Sequence, residues 1–324
     1  MALMKKAKEK IVFLDAGTLD YGDVSFKELH SLGKLKIYPK TPAPEILKRC
    51  QSASIVITNK CVFNKPILNR LKGLKLICIA ATGTNNVDLK AARAAGIAVA
   101  NVSGYSTESV VQCTFAFLLA LAGNLLKFNQ AAHDGRWSRS VFFTLADFPF
   151  HEINGKTLGI VGYGRIGKRV AQVAKAFGMK VLIAKIPGRE YSILANRVPL
   201  DTLVQKSDFL TLHAPLSGIT QNLINSRLLR KIKKDAYLIN MARGGLVDEK
   251  ALAHSLKSGR LAGAAADVLA QEPPPKNHVL LKAPHFLLTP HVAWASVEAR
   301  KRLVHEIAQN IRAFQHGKIR NRIV

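Results

Sequence analysis

The segment KTLGIVGYGRIGKRVAQVAKAFG (156–178) joins an apolar run to a helical one through Gly162, Gly164 and Gly167, spaced Gly-x-Gly-x-x-Gly, with Tyr163, Arg165 and Ile166 between them. Glycines in this pattern allow a tight turn, a close backbone approach to a pyrophosphate and close packing of helix on strand. The helix that follows would aim its first amide donors at an anion. Glycine triplets also occur in plain structural turns. Between this strand and this helix, the pattern points to a dinucleotide.

A second position tests that idea. An NAD site usually offers a carboxylate about 20 residues on, at the end of the next strand, to hold ribose hydroxyls. Here VLIAKIPGR (181–189) puts Lys185 there, eighteen residues after Gly167, with Arg189 just beyond. A cation cannot accept from hydroxyls, but it can pair with a 2′-phosphate. The expectation is therefore NAD(P)H, with NADPH favoured over NADH. The alternative is that Lys185 is one more surface cation.

A third feature is LINMARGGLVDE (238–249), where a strand should end and turn at Gly244-Gly245. That places Arg243 at a strand's C-terminal edge, where open sheets bind their ligands. Its guanidinium fork suits a carboxylate.

These groups need parallel sheets to hold them. Apolar runs recur at 11–15, 54–59, 74–81, 96–101, 157–162, 180–184, 208–214 and 236–240, most separated by segments of helical character. Short apolar strands alternating with helices predict an α/β protein. The run Ser109–Leu126 reads as a single long buried helix; Gln112 and Asn124 argue against a membrane span. From Trp294 onward, Leu303, Ile307, Ile311 and Phe314 fall at helical spacing and predict a closing amphipathic helix. Two Rossmann-like domains with parallel sheets are expected. The first is discontinuous, residues 1–101 with 292–324, and binds substrate; residues 102–291 bind the dinucleotide.

Composition narrows the class. At 324 residues, 48% hydrophobic and 21% charged, the chain is an ordinary globular one of about two domains. Four scattered cysteines without metal spacing predict reduced thiols, no metal and a cytoplasmic location. The basic start MALMKKAKEK lacks the apolar core of a signal peptide. Forty-eight Lys and Arg against 21 acids give a net charge of +27, but the cations are dispersed and lack interleaved aromatics. That predicts a solvated basic surface that attracts small anions, without specific nucleic-acid or membrane binding.

Eight motifs occur in order: TNKCVFN, ATGTNNVDL, NVSGYSTESV, DFPFHEINGKTLGIVGYGRIG, LTLHAPL, LINMARGGLVDE, ADVLAQEPPP and LTPHVAWAS. By these the chain resembles the D-isomer-specific 2-hydroxyacid dehydrogenases over nearly its whole length. The resemblance implies reduction of a small 2-keto acid, hydroxypyruvate to D-glycerate first and glyoxylate to glycolate second. It singles out His291 from ten histidines as proton donor, Glu272 as its acidic partner and Arg243 as the substrate-binding arginine. It assigns Asp267 to the nicotinamide carboxamide, and His213, Ala214 and Pro215 to the cofactor ribose and phosphates. Thr107 could cap a helix or contact the cofactor. Thr82, Gly83 and Thr84, with Asn59, match the segments that take the substrate. Trp137 matches an aromatic that closes the partner subunit's pocket, or it lies buried in a dimer contact; either implies a homodimer. Met241, where many members have threonine, and Ala242 precede Arg243 and are expected among the cofactor-binding residues, with the Met241 side chain pointing away from the site. Dinucleotide-sensing corepressors share the fold and form the alternative, because fold alone does not establish catalysis.

Overall fold

A computed structural model of the chain describes residues 9–191 and 197–324. It contains two compact units, Met1–Ser106 with Ala295–Val324, and Thr107–Trp294. The basic start, residues 1–8, lies outside the described residues.

The first unit carries five parallel strands, β1 (Lys10–Phe13), β2 (Lys34–Ile37), β3 (Ile55–Thr58), β4 (Leu76–Ile79) and β5 (Ala98–Ala100), in the order β2-β1-β3-β4-β5. β3 and β4 are buried at every residue, as their unbroken Ile-Val-Ile-Thr and Leu-Ile-Cys-Ile sequences require of strands covered on both faces. Fully burying each such Ile, Val or Leu side chain contributes roughly 1.5–3 kcal/mol. Strand order reverses between β1 and β3, so their C-terminal ends flank a crevice of the kind that receives ligands. The closing helix Val297–Gln315 belongs to this unit and buries Leu303, Ile307 and Ile311, with Ser296 capping it through the Ala299 amide.

The second unit holds β6 (Thr157–Val161), β7 (Lys180–Lys185), β8 (Arg197–Pro199), β9 (Phe209–Leu212), β10 (Tyr237–Asn240), β11 (Gly263–Ala266) and β12 (Phe286–Leu288). All pair in parallel, in the order β12-β11-β10-β9-β6-β7-β8. The α/β class expected from alternating strands and helices is therefore found, as two parallel sheets. The switch point lies between β6 and β9, where the glycine loop leaves the sheet.

The run expected as one helix over Ser109–Leu126 is two. Thr107–Ala122 ends before Gly123, Asn124 takes a left-handed φ of 46°, and Leu125–His133 sets off at a bend of 62°. Among the described residues no single helix is long and apolar enough to cross a membrane. Thr107–Ala122 instead packs Val110, Leu118 and Leu121 into the core that covers β6.

Candidate active site

The ligand-facing edge of the seven-stranded sheet can be followed strand by strand. β6 ends in the glycine loop, and its three glycines have different reasons to be glycine. Gly162 has φ +96°, and a Cβ there would stand 2.5 Å from both the Ala214 nitrogen and the His213 carbonyl carbon. A Cβ on Gly167 would lie 2.1 Å from the Gly162 carbonyl oxygen. Around Gly164 nothing lies within 4 Å of that position, so open space faces the start of the Arg165–Ala176 helix. No side chain caps that helix among the described residues, which leaves its first-turn amides for an anion. Tyr163 and Ile166 pack against the core, and Arg165 is exposed.

β9, next to β6, delivers His213-Ala214-Pro215. The His213 amide donates to the Val161 carbonyl at 2.7 Å, tying the two strand ends together. Both ring nitrogens of His213 are enclosed and have no hydrogen-bond partner among the described residues. Burial pushes its pKa down to about 4, so the imidazole is neutral. Buried polar groups without partners are uncommon. A glycine cradle open at Gly164, uncapped helix amides and an orphaned ring at the neighbouring strand end together fit a dinucleotide.

β10 ends at Asn240, whose side chain shapes the turn that follows. Its Nδ2 donates to the Arg243 carbonyl at 2.9 Å, and its Oδ1 accepts from the Ala242 amide at 3.1 Å. Arg243 projects into solvent with Nη1 donating to the Ala242 carbonyl at 2.7 Å. Met241 is buried in the core cluster that includes Ile239 and Ala293. Gly244 then packs so closely that a Cβ would stand 1.9 Å from the Leu269 carbonyl carbon. The arginine turn therefore rests on the loop that leaves β11.

β11 delivers Asp267 and, farther on, Glu272. Asp267 is buried and accepts from the Thr289 hydroxyl at 2.6 Å and from the amides of Val292 at 2.8 Å and Ala293 at 2.9 Å. Desolvation raises its pKa, and those three donors work against the rise. This carboxylate, which the resemblance assigns to a carboxamide, thus also fixes the loop after β12. The His291 amide adds a bond to the Asp267 carbonyl at 2.8 Å, and His291 itself sits at φ +55°, a conformation that costs a non-glycine residue energy.

His291 Nδ1 meets Glu272 Oε2 at 2.6 Å, while Glu272 Oε1 accepts from the Leu269 amide at 2.9 Å. A carboxylate only accepts, so the shared proton belongs to Nδ1 and the far nitrogen, Nε2, is left to exchange protons with a ligand. Three neighbouring strand ends, β12, β11 and β10, thus carry histidine, glutamate and arginine.

The other expected residues each have a place within their own unit. Lys185 closes β7 and is exposed, as is Arg189, whose guanidinium lies 5.7 Å from the Tyr191 ring centroid. Arg197, which no sequence motif singles out, stacks over the same ring at 4.1 Å. Thr107 is the buried first residue of its helix. Trp137 is half exposed and its Nε1 donates to the Phe143 carbonyl at 3.0 Å. In the first unit, Asn59 follows β3, donating its amide to Asp15 Oδ1 at 2.8 Å and its Nδ2 to Thr18 at 3.0 Å. Thr82 donates to the Val102 carbonyl at 2.9 Å, and Gly83 and Thr84 follow it in the loop after β4. Sequence spacing does not single out Asp15, two residues past the end of β1, or Asn240, the last residue of β10, although open sheets carry ligand-shaping residues at such strand ends.

Comparison with known proteins adds an independent line. Residues 115–293 match the model of the D-isomer specific 2-hydroxyacid dehydrogenase, NAD binding domain. Glycerate dehydrogenase from Methylorubrum extorquens is 42% identical over 316 residues, 97% of this chain and 98% of that one. Hydroxypyruvate reductase from Blautia hydrogenotrophica is 37% identical over 314 residues, 95% of this chain and 97% of the relative. Among solved structures, the acyclic imino acid reductase Bsp5 in complex with NADPH and D-Arg superposes with a TM-score of 0.86 at 29% identity, covering 97% of this chain and all of that one.

Proposed function

The chain belongs to the D-isomer-specific 2-hydroxyacid dehydrogenases, and from that premise we propose that it reduces hydroxypyruvate to D-glycerate, and glyoxylate to glycolate more slowly. The observation that carries this reading is the 2.6 Å contact of His291 with Glu272, one and two strands away from Arg243 on the same sheet edge.

When bound, the nicotinamide dinucleotide supplies the hydride. The chain's own residues do the rest. Arg243 binds the substrate carboxylate and polarises the neighbouring carbonyl with its second nitrogen. His291 gives a proton from Nε2 to the carbonyl oxygen as it becomes a hydroxyl, and takes it back in the reverse direction. Glu272 holds the ring in the Nδ1–H tautomer. Asn59, Thr82, Gly83 and Thr84 are proposed as substrate contacts. Thr107, Asp267 and the 213–215 segment are proposed to contact the cofactor. The relatives from Methylorubrum and Blautia are named as a dehydrogenase and a reductase, and lend nothing to a corepressor role.

Coenzyme choice, assembly and location extend the same reading. Lys185, exposed at the end of β7, and Arg189, exposed beyond it, support NADPH over NADH. Exposed Val141, Phe142, Phe143 and Phe150, in the loop that holds Trp137, support a homodimer. A cytoplasmic location is supported by four free cysteines, with burial pushing Cys78 up to about 12.

The test is the initial rate of hydroxypyruvate reduction with NADPH and with NADH, on wild type and on Lys185→Asp. Turnover with a preference for NADPH that the substitution reverses or erases supports both activity and coenzyme. A wild-type preference for NADH sinks the role given to Lys185. No turnover with either coenzyme on any small 2-keto acid sinks the enzyme reading.

A further inference from the structure

Glu272 lies in a loop rich in proline, and its neighbours explain how that loop is held. The loop leaves the sheet after β11, passes Ala270, Glu272 and Pro273-Pro274-Pro275, and returns at His278. Glu249, the first residue of the Glu249–Lys257 helix, meets both ends of it. Its Oε1 accepts from the Ala270 amide at 2.8 Å, and its Oε2 lies 3.1 Å from His278 Nε2. Side-chain exposures of 14% for Glu249 and 11% for His278 mark an enclosed pair, unlike the surface ion pairs that contribute little.

The two glutamates divide neighbouring amides between them. Glu272 Oε1 takes the Leu269 N–H, and Glu249 Oε1 takes the Ala270 N–H. Leu269 and Ala270 are also the residues on which Gly244 packs, next to Arg243. His278 is set for its part: its Nδ1 lies 3.4 Å from the Leu280 amide and its own amide donates to the Pro275 carbonyl at 3.0 Å. A ring that accepts at Nδ1 carries its proton on Nε2 and donates it to Glu249 Oε2.

We propose that Glu249, latched by His278, is a positioning residue for the His291–Glu272 pair, clamping both ends of the loop that carries Glu272. This inference rests on the reading of His291 as proton donor, but it concerns the geometry of the pair and can be read without turnover. Without the clamp the loop keeps only the Leu269 amide and the His291 ring to hold the carboxylate, and the imidazole loses its single tautomer. Partners of this outer kind typically matter by about 10- to 100-fold at sites where a histidine must be oriented.

The experiment compares wild type, Glu249→Ala, Glu249→Gln and His278→Ala. One readout is the ¹⁵N spectrum of the His291 ring, which reports its tautomer; the other is the pH profile of hydroxypyruvate reduction. The expected result is one Nδ1–H tautomer in wild type and a mixture in Glu249→Ala and His278→Ala. In those two variants kcat falls about tenfold, KM for the dinucleotide holds, and the pH profile departs from that of wild type. Glu249→Gln, which keeps an acceptor for the Ala270 amide, recovers part of the loss. If Glu249→Ala does not fold, His278→Ala decides. Unchanged tautomer and profile with only a lower Tm overturn the inference and make the clamp a plain structural staple. A wild type with no turnover sinks the proposed activity, while the spectra still decide the clamp.

Discussion

The Glu272 carboxylate spans two loops, accepting from the Leu269 amide with one oxygen and from His291 Nδ1 with the other at 2.6 Å. With Asp267 it links the ends of β11 and β12, so its charge and its position act together on the histidine. Glu272→Gln keeps the size and an acceptor but removes the charge. Reduction should lose roughly 10- to 100-fold in kcat, and its pH profile should differ from that of wild type, because the carboxylate that orients the imidazole is gone. His291→Ala should lose more, about 10²–10⁴-fold. Steady-state rates across pH 5–9 check both, and a Glu272→Gln enzyme with a wild-type profile would refute this account of the pair.

The glycine loop makes a paired prediction. Gly167→Ala drives a methyl to 2.1 Å from the Gly162 carbonyl oxygen, a backbone atom with nowhere to go, and should destabilise the fold by about 1–3 kcal/mol. Gly164→Ala meets nothing within 4 Å and should melt as wild type does. Its cost should appear when a pyrophosphate approaches, as a dinucleotide Kd weakened at least about tenfold. Thermal melts with fluorescence titrations separate the two, and a Gly164→Ala protein that binds as tightly as wild type would count against the cradle.

His213 predicts how stability follows pH. Its pKa is pushed down to about 4 in the folded chain, against about 6.5 when unfolded. Between these values the unfolded state binds more protons, so stability rises with pH. The contribution is complete above about pH 6.5 and is lost as pH falls through about 4, by about 3 kcal/mol in all. Urea unfolding at pH 7 and pH 4.5 should show His213→Phe losing less stability than wild type over that interval. Equal losses would mean that the ring is free to charge in place.

The loop around Trp137 exposes Val141 at 90% and Phe143 at 93%, well beyond scattered surface apolar residues. If a second copy covers this face, Phe142→Asp with Phe143→Asp should turn a dimer into a monomer in sedimentation velocity. A wild-type protein that sediments as a monomer at micromolar concentration ends that idea.

Much of this arrangement is legible in the amino-acid sequence, and the exceptions have physical reasons. β3, β4, β6, β9 and β10 show in the sequence because burial on both faces writes unbroken apolar runs. β2 does not, since Lys34-Leu35-Lys36-Ile37 is an edge strand with its lysines exposed. β11, Gly263-Ala264-Ala265-Ala266, has no strand-forming side chains and is extended because β10 and β12 pair with it on both sides. The helix at 107–122 stops early through the left-handed Asn124, which apolar periodicity does not reveal. At the site, the glycine loop is local and therefore readable. Glu249, His278 and Asp15 act through partners 21 to 46 residues away in the chain, and no spacing rule announces such pairs.

Strand order also sets how far changes can be made independently. Lys185 ends β7 and Arg243 follows β10, with β6 and β9 between, so three interstrand steps of about 4.8 Å separate them, and five separate β7 from β12. That exceeds the range over which substitutions usually interfere with one another. Coenzyme preference and proton transfer should therefore be adjustable as separate modules, their effects on log(kcat/KM) summing when combined, so that a redesign for a different reductant need not disturb the acid chemistry at the other end of the sheet.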